Sequence, residues 1–136
     1  MKIQLEEFIN DNLIPGFTPY YIYDIYEESH LVGKIVFRLG TDQQHYYDGH
    51  IGYSIYEEFQ GHHYAYQACL LLKEIIREAG YDHVMVTCDP SNIASRKTIE
   101  RLQAQFIEEL PIPSKLRKVF TSDEKIKRIY RWEINV

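Results

Sequence analysis

Residues 49–72 read GHIGYSIYEEFQGHHYAYQACLLL and change their hydrophobic period part-way along. Up to Tyr56 the residues follow the alternating pattern of a β-strand, with Ile51 and Tyr53 on one face. From Gly61 onward the apolar residues recur at steps of three and four, which is typical of an amphipathic helix. The stretch therefore predicts a strand over 50–56, a short acidic turn, and a helix that ends at Gly80.

The start of this helix is a candidate anion site. The first N–H groups of any helix lack internal partners and carry the positive end of the helix dipole. Gly61 in the preceding loop would let a phosphate group approach those N–H groups closely. On these residues alone the signal is weak, and an ordinary helix start is the alternative interpretation.

Upstream of this stretch the pattern is that of strands. Residues 20–28 (YYIYDIYEE) and 31–39 (LVGKIVFRL) are rich in aromatic and β-branched residues and are joined by a short polar turn, which predicts a hairpin. With the strand over 50–56 they form an antiparallel meander. The first 19 residues give no confident strand.

Downstream, the sequence predicts a strand over 83–88, a helix from about residue 92 to 102, a strand at 106–110, and a last strand over 128–136. A strand–helix–strand crossover implies parallel strands at 50–56 and 83–88. We therefore expect an α+β fold, with a mixed, mostly antiparallel sheet and helices packed on it.

Length and charge limit the other possibilities. The 136 residues (16.2 kDa) correspond to a single domain over 1–136. The net charge is −5, and the acidic excess lies in residues 1–114, which makes nucleic acid an unlikely partner. The basic segment 115–131 leaves binding to RNA or to a protein as an alternative. The acidic body favours a cationic ligand.

Localisation and metal content follow from equally simple observations. The longest apolar run, 68–72, is too short for a membrane helix, and the acidic N-terminus is no signal peptide, so we expect a soluble cytoplasmic protein. The isolated Cys69 and Cys88 and the adjacent His62 and His63 lack metal-ligand spacing. No metal is expected.

Two motifs give the sequence a family resemblance. Residues 60–65 (QGHHYA), after the Ile-Gly-Tyr strand, resemble the acetyl-CoA signature of the GCN5-related N-acetyltransferase (GNAT) family, Gln/Arg-x-x-Gly-x-Gly/Ala. Residues 92–97 (NIASRK), after Thr-Cys-Asp-Pro, resemble the family's second landmark, an Asn and a Ser that open the next helix. The resemblance covers roughly residues 20–109, and the strand around Trp132 fits the family's closing strand.

The resemblance implies direct transfer of an acetyl group from acetyl-CoA, as co-substrate, to an amine of a small-molecule or protein acceptor. It implies a sheet splayed between the strands at 50–56 and 83–88, with pantetheine between them. Backbone groups would bind pantetheine and polarise the thioester, the helix start would hold the pyrophosphate, and the second landmark would touch pantetheine from the other side. The implied cofactor-binding residues are, in that order, Ser54, Ile55, Tyr56; Gln60, Gly61, His62, His63, Tyr64, Ala65; Asn92 and Ser95.

Several positions depart from the family pattern. Gln60 stands where Arg is usual, and His63 stands where a loop glycine is usual. After the second helix, Leu102-Gln103 stands where Leu-Gly is usual. Ile99 occupies the position at which many members have the Tyr that protonates the leaving thiolate.

The catalytic residues must therefore lie elsewhere. His50 is the candidate general base, because it starts the cofactor strand where relatives often carry Glu and its ordinary pKa of ~6.5 suits the task. A hydrogen-bonded polar residue at a strand end is the alternative. Tyr53, with Tyr46 and Tyr47, is a candidate acid or a wall of the acceptor pocket.

Two questions about function stay open at this level. A CoA-binding or protein-interaction module that has lost turnover is the main alternative to an enzyme, and the acceptor is not specified. The short N-terminal segment leaves little chain to shape the acceptor side, which a second subunit of a homodimer could complete.

Overall fold

The computed structural model describes residues 1–11, 13 and 17–135, without the side chains of Lys118 and Val119. Within these residues the chain forms seven strands and two α-helices, together with 3₁₀ turns at Glu57–Phe59 and Ser114–Val119. The main elements are β1 (Lys2–Ile9), β2 (Tyr20–Glu27), β3 (His30–Arg38), β4 (Ile51–Ile55), α1 (Tyr64–Glu78), β5 (His83–Cys88), α2 (Ile93–Arg101), β6 (Gln105–Pro111) and β7 (Ile126–Glu133). Neither α1 nor α2 is long and apolar enough to span a membrane.

The strands form two antiparallel sheets. Sheet A has the order β1-β2-β3-β4, and sheet B has the order β5-β7-β6. The predicted α+β fold and the β2–β3 hairpin are confirmed, and β5 has the predicted bounds. The chain separates between β4 and β5, which belong to different sheets, and this agrees with the splayed sheet that the resemblance implies. The backbone N–H of His50 donates to Met85 O at 2.8 Å and links the two sheets.

Helix α1 holds the two sheets together through its apolar stripe. The side chains of Ala68, Cys69, Leu72 and Ile76 have no exposed surface. They belong to one core cluster with residues of both sheets: Ile35, Phe37 and Ile51 from sheet A, and Val84, Val86, Tyr130 and Trp132 from sheet B. Burying each large apolar side chain contributes about 1.5–3 kcal/mol, so this stripe is a major source of stability.

Strand β1 was not predicted, and its backbone explains why. The register against β2 shifts between Leu5 and Glu7, which is a β-bulge. A bulge places two residues of one strand opposite one residue of the other, and this breaks the alternation of apolar and polar side chains. The sequence Lys2–Ile9 consequently lacks the period-2 pattern that would identify it.

Two of the positions that depart from the family pattern have left-handed backbones. His63, at the N-terminus of α1, has φ 61°, and Gln103, just after α2, has φ 63°. A side chain makes this conformation costly, whereas glycine adopts it readily. The usual glycine at both positions is thus explained by the local geometry, which this chain keeps without it.

We expect Gln103→Gly to raise the free energy of unfolding by about 1 kcal/mol, because it relieves the left-handed strain after α2. Chemical denaturation of the variant and the wild type measures the change. Ala79 ends α1 with an ordinary φ of −75°, so Ala79→Gly is the matched control and should lower stability by about 0.5–1 kcal/mol. Equal losses in both variants would contradict the assignment of strain.

Candidate functional site

A cleft of about 840 Å³ opens between the end of β4, the loop that leads into α1, and one face of α2. Most of the predicted cofactor residues meet in it. Those lining the cleft are Tyr53, Ser54, Ile55, Gln60, Gly61, His63, Tyr64, Ala65, Asn92 and Ser95. Three of the predicted site residues do not line it: His50, Tyr56 and His62. Chain segments about 40 residues apart in sequence therefore form one concave surface.

The start of α1 is open to a ligand. His63 is its N-cap residue, and its side chain makes no capping hydrogen bond to the first turn. A Cβ added to Gly61 would meet no atom within 4 Å, so the loop leaves space beside the helix. The N–H groups at this end keep their capacity to bind an anion.

The charge of the cleft matches an anion as well. Among the residues that the structure describes, no Asp or Glu lines the cleft, although the chain has 20 acidic residues. Helix α2 contributes two cations, Lys97 and Arg101, which are four residues apart and so lie on one helix face. The Arg101 guanidinium lies 4.8 Å from the centre of the Tyr66 ring. Sequence analysis missed these two residues, and their i, i+4 spacing after the Asn-Ser landmark was the available signal.

Tyr53 connects β4 to α2 across the inner end of the cleft. Its hydroxyl lies 2.7 Å from Ser95 Oγ. Burial is the main reason that the pKa of Tyr53 lies well above its ordinary value of 10. The phenol therefore keeps its proton at neutral pH and is a hydrogen-bond donor rather than a base.

Asn92 has a structural contact in addition to its place in the cleft. Its Oδ1 accepts a hydrogen bond from the Ser95 N–H at 3.1 Å, which makes it the N-cap of α2. Ile99 has no exposed surface, so this position of α2 contributes neither a proton donor nor a wall of the cleft.

His50 is completely buried, and both of its ring nitrogens are hydrogen-bonded. The Met85 N–H donates to Nδ1 at 2.9 Å, and Nε2 lies 3.0 Å from the Gly40 carbonyl oxygen. These partners require the neutral ring with its proton on Nε2. Burial is the main cause of a pKa below the ordinary 6.5. A ring held in this way fixes the β4–β5 junction and has no free nitrogen for an acceptor amine.

The remaining predicted residues lie at the rim. Gln60 Nε2 donates to the Ile55 carbonyl oxygen at 3.0 Å and ties the loop to β4. The exposed His62 ring lies against Tyr64, with ring centres 5.2 Å apart. The Tyr56 N–H donates to Val32 O at 2.9 Å and continues the pairing with β3. Among the described residues, no group of three or more His, Cys, Asp or Glu could hold a metal ion.

Comparison with known proteins agrees with this geometry. A family model described as an acetyltransferase (GNAT) domain matches residues 3–105. No curated protein sequence matches significantly. Three solved structures share the fold at 18–19% identity and cover 84–85% of the chain.

The first of these structures is apo RimL, a ribosomal L7/L12 α-N-protein acetyltransferase, with TM-score 0.65. The second is an acetyltransferase from Salmonella typhimurium that modifies the N-terminal serine of L7/L12, with TM-score 0.67. The third is the microcin C7 self-immunity acetyltransferase MccE with acetyl-CoA and AMP, with TM-score 0.64. The chain spans 70%, 64% and 61% of the length of these proteins, respectively.

We expect His50→Gln to flatten the pH dependence of stability. Because the folded pKa of His50 is lowered, the unfolded chain binds the proton more readily, and stability falls as the pH drops below about 6.5. Urea unfolding at about pH 7 and pH 5 should show a smaller loss in His50→Gln than in the wild type.

His83 provides a control of opposite sign. Partial burial opposes its charge, but hydrogen bonds to the Asp42 and Asp82 carboxylates raise its pKa overall. Its stabilising effect is present at low pH and is lost as the pH rises through the folded pKa. His83→Gln should therefore enlarge the loss on acidification. Identical losses in wild type and His50→Gln would contradict the assigned role of His50.

Proposed function

The chain belongs to the acetyltransferase (GNAT) domain family, and we propose that it transfers an acetyl group from acetyl-CoA to the amine of an acceptor. The observation that carries this proposal is the cleft itself. It combines an uncapped helix N-terminus, two cations and no carboxylate in a chain of net charge −5. CoA is polyanionic, and the proposed fit follows from charge as well as from family membership.

Different parts of the cleft would bind different parts of CoA. The pyrophosphate would accept hydrogen bonds from the N–H groups at the start of α1, next to Gly61. Lys97 and Arg101 would supply the positive charge that Gln60 lacks. The pantetheine arm would lie between β4 and α2, beside Ser54, Asn92 and Ser95. MccE contains acetyl-CoA in its structure, and a RimL structure contains CoA, which supports this arrangement.

The reaction requires few groups once the thioester lies at β4. The unprotonated amine nitrogen attacks the acetyl carbonyl carbon, a C–N bond forms, and the C–S bond of the thioester breaks. The nitrogen releases its proton to water, and the departing thiolate takes a proton from the Tyr53 hydroxyl, which solvent then restores. Tyr53 thus supplies from β4 the acid that relatives place on the helix position of Ile99. This donor argues against the non-catalytic module.

The proposal includes a cytoplasmic location and a class of acceptor. Cys69 and Cys88 are both buried free thiols, which fits the reducing cytoplasm. The acceptor would be a protein or small molecule with an amine, since L7/L12 is the substrate of the RimL relatives.

We expect Gly61→Val to abolish stabilisation by CoA. At about 100-fold excess over Kd, CoA should add about 2.7 kcal/mol to the wild type, measured as an increase in Tm. Gly80, at the other end of α1, is a matched control: its φ of 95° resembles the 91° of Gly61, and neither has an atom within 4 Å of an added Cβ. Both variants should lose stability, but only Gly61→Val should lose the CoA response. A normal CoA response in Gly61→Val would contradict the pyrophosphate site.

Tyr53→Phe should lower kcat by about 10²-fold, the lower end for acid–base catalysis, with little change in the Kd of CoA. Release of CoA thiol from acetyl-CoA, measured across a panel of amines, gives the rates. Ser95→Ala removes the other partner of the hydroxyl–hydroxyl hydrogen bond and is the control for loss of that contact. Because Ser95 would also contact pantetheine, an equal loss of kcat in Ser95→Ala with the KM for acetyl-CoA unchanged is the result that would assign Tyr53 a structural role. CoA binding without turnover for any amine would favour the non-catalytic module.

A further inference from the structure

A second cleft, of about 670 Å³, lies on the face of sheet A that α1 leaves uncovered. Tyr20, Val36 and Arg38 line its floor. The register pairs Tyr20 with Arg38 and Val36 with Gly52, which places all four on one face of the sheet. The opposite face carries Ile35, Phe37 and Ile51, which belong to the core beneath α1.

This cleft reaches the cofactor strand. A Cβ on Gly52 would lie 2.8 Å from Arg38 Nη2, so the guanidinium lies directly over the β4 backbone. Tyr53 and Ser54, the next two residues, line the first cleft. The two clefts therefore come to the same strand at adjacent positions, one through Arg38 at Gly52 and the other at Tyr53 and Ser54. Direct transfer requires two bound substrates to be brought together in this way.

The carboxylates of the second cleft are already engaged. Asp48 Oδ1 lies 3.0 Å from His45 Nδ1, and Asp48 Oδ2 lies 3.8 Å from Arg38 Nε. Glu124 forms an ion pair with Lys127 at 2.8 Å and accepts a hydrogen bond from the Thr121 N–H at 3.1 Å. A cationic acceptor would have to compete with these protein partners for every negative charge in the cleft.

Its cations, in contrast, retain donors. Arg38 Nη1 donates to the carbonyl oxygens of Asp48 and Gly49, at 3.2 and 3.0 Å, whereas Nη2 makes no hydrogen bond to the described part of the chain. Lys115 also lines the cleft and forms no ion pair with a described residue. Aromatic side chains provide much of the remaining wall: Phe17, Tyr20, Tyr47 and Phe120.

We propose that this second cleft binds the acceptor, and that the acceptor is an amine that also carries a carboxylate and an apolar group. Arg38 Nη2 and Lys115 would bind the carboxylate, and the aromatic wall would contact the apolar group. A free amino acid and the N-terminus of a peptide with an acidic side chain both present this chemistry. The proposal rests on the proposed function, and it replaces the expectation from net charge that the acceptor is cationic.

The test compares pairs of acceptors in which a carboxylate is replaced by an uncharged amide. Phenylalanine is paired with phenylalaninamide, the peptide Ser-Asp-Phe-amide is paired with Ser-Asn-Phe-amide, and spermine represents polycations. The amine of phenylalaninamide is the less basic of its pair, so reactivity alone favours the neutral acceptor. We expect kcat/KM to favour the carboxylate member of at least one pair by about tenfold or more. The pair that shows the preference distinguishes an amino acid from a peptide.

Single variants test which residues bind the carboxylate of the acceptor. Arg38→Gln should remove most of the preference for the carboxylate member, and a Kd of CoA close to the wild-type value would show that the cofactor cleft is intact. Lys115→Gln should reduce the preference without touching the Asp48–Gly49 loop. Lys34 is the matched control, because it lies on the same face of β3 but is bound to Glu6 and Asp24 and does not line the cleft. Lys34→Gln should keep the wild-type preference.

The outcomes separate this inference from the function on which it rests. Transfer that is equal for both members of each pair, or fastest for spermine, overturns the carboxylate assignment and leaves the acetyltransferase intact. Binding of CoA with neither turnover nor calorimetric binding of any carboxylate acceptor to the CoA complex also overturns the assignment. Absence of both CoA binding and transfer overturns the proposed function itself.

Discussion

The single junction between β4 and β5 is the constraint on which both clefts depend. The His50 N–H donates to Met85 O at 2.8 Å, and the Met85 N–H donates to the His50 ring at 2.9 Å. Pairing between the sheets stops there, so the following edge of β4 has backbone groups that need another partner. A ligand with amides, such as pantetheine, can provide it. Gly49 permits this close approach, since a Cβ there would lie 3.2 Å from Met85 O.

At the positions that depart from the family motif, the side chain differs but the backbone conformation is the one that the family's usual residue would adopt. His63 and Gln103 keep the left-handed backbone that glycine usually provides, at a cost in stability. The positive charge missing at Gln60 is replaced in space by Lys97 and Arg101 on α2. Because a phosphate responds to the total field at its position, the charge can come from another element. The proposed proton donor would also come from another element, since Tyr53 on β4 lines the cleft whereas Ile99 on α2 is buried.

Some parts of the fold could be predicted and others could not, for identifiable reasons. The hairpin β2–β3, both helices and strand β5 follow from regular hydrophobic periods, which depend on neighbours a few residues away. Strand β1 was not predicted, because its bulge interrupts the alternation of apolar and polar residues. Periodicity alone did not indicate the division into two sheets, because it reports buried faces rather than hydrogen-bonded edges. Only the family resemblance implied that the sheet is splayed there.

The sequence by itself determined the family resemblance and most of the candidate cofactor cleft, because Gln60–Ala65 and Asn92–Ser95 are contiguous motifs at helix starts. Tertiary structure decided the roles of single side chains. His50 is the expected base by position, but its ring is bonded to Gly40 and Met85, which are 10 and 35 residues away. The second cleft combines β2, β3, β7 and three connecting segments, and its balance of charge depends on which carboxylates are already paired. Such pairing is a property of distances in space, and a linear pattern does not contain them.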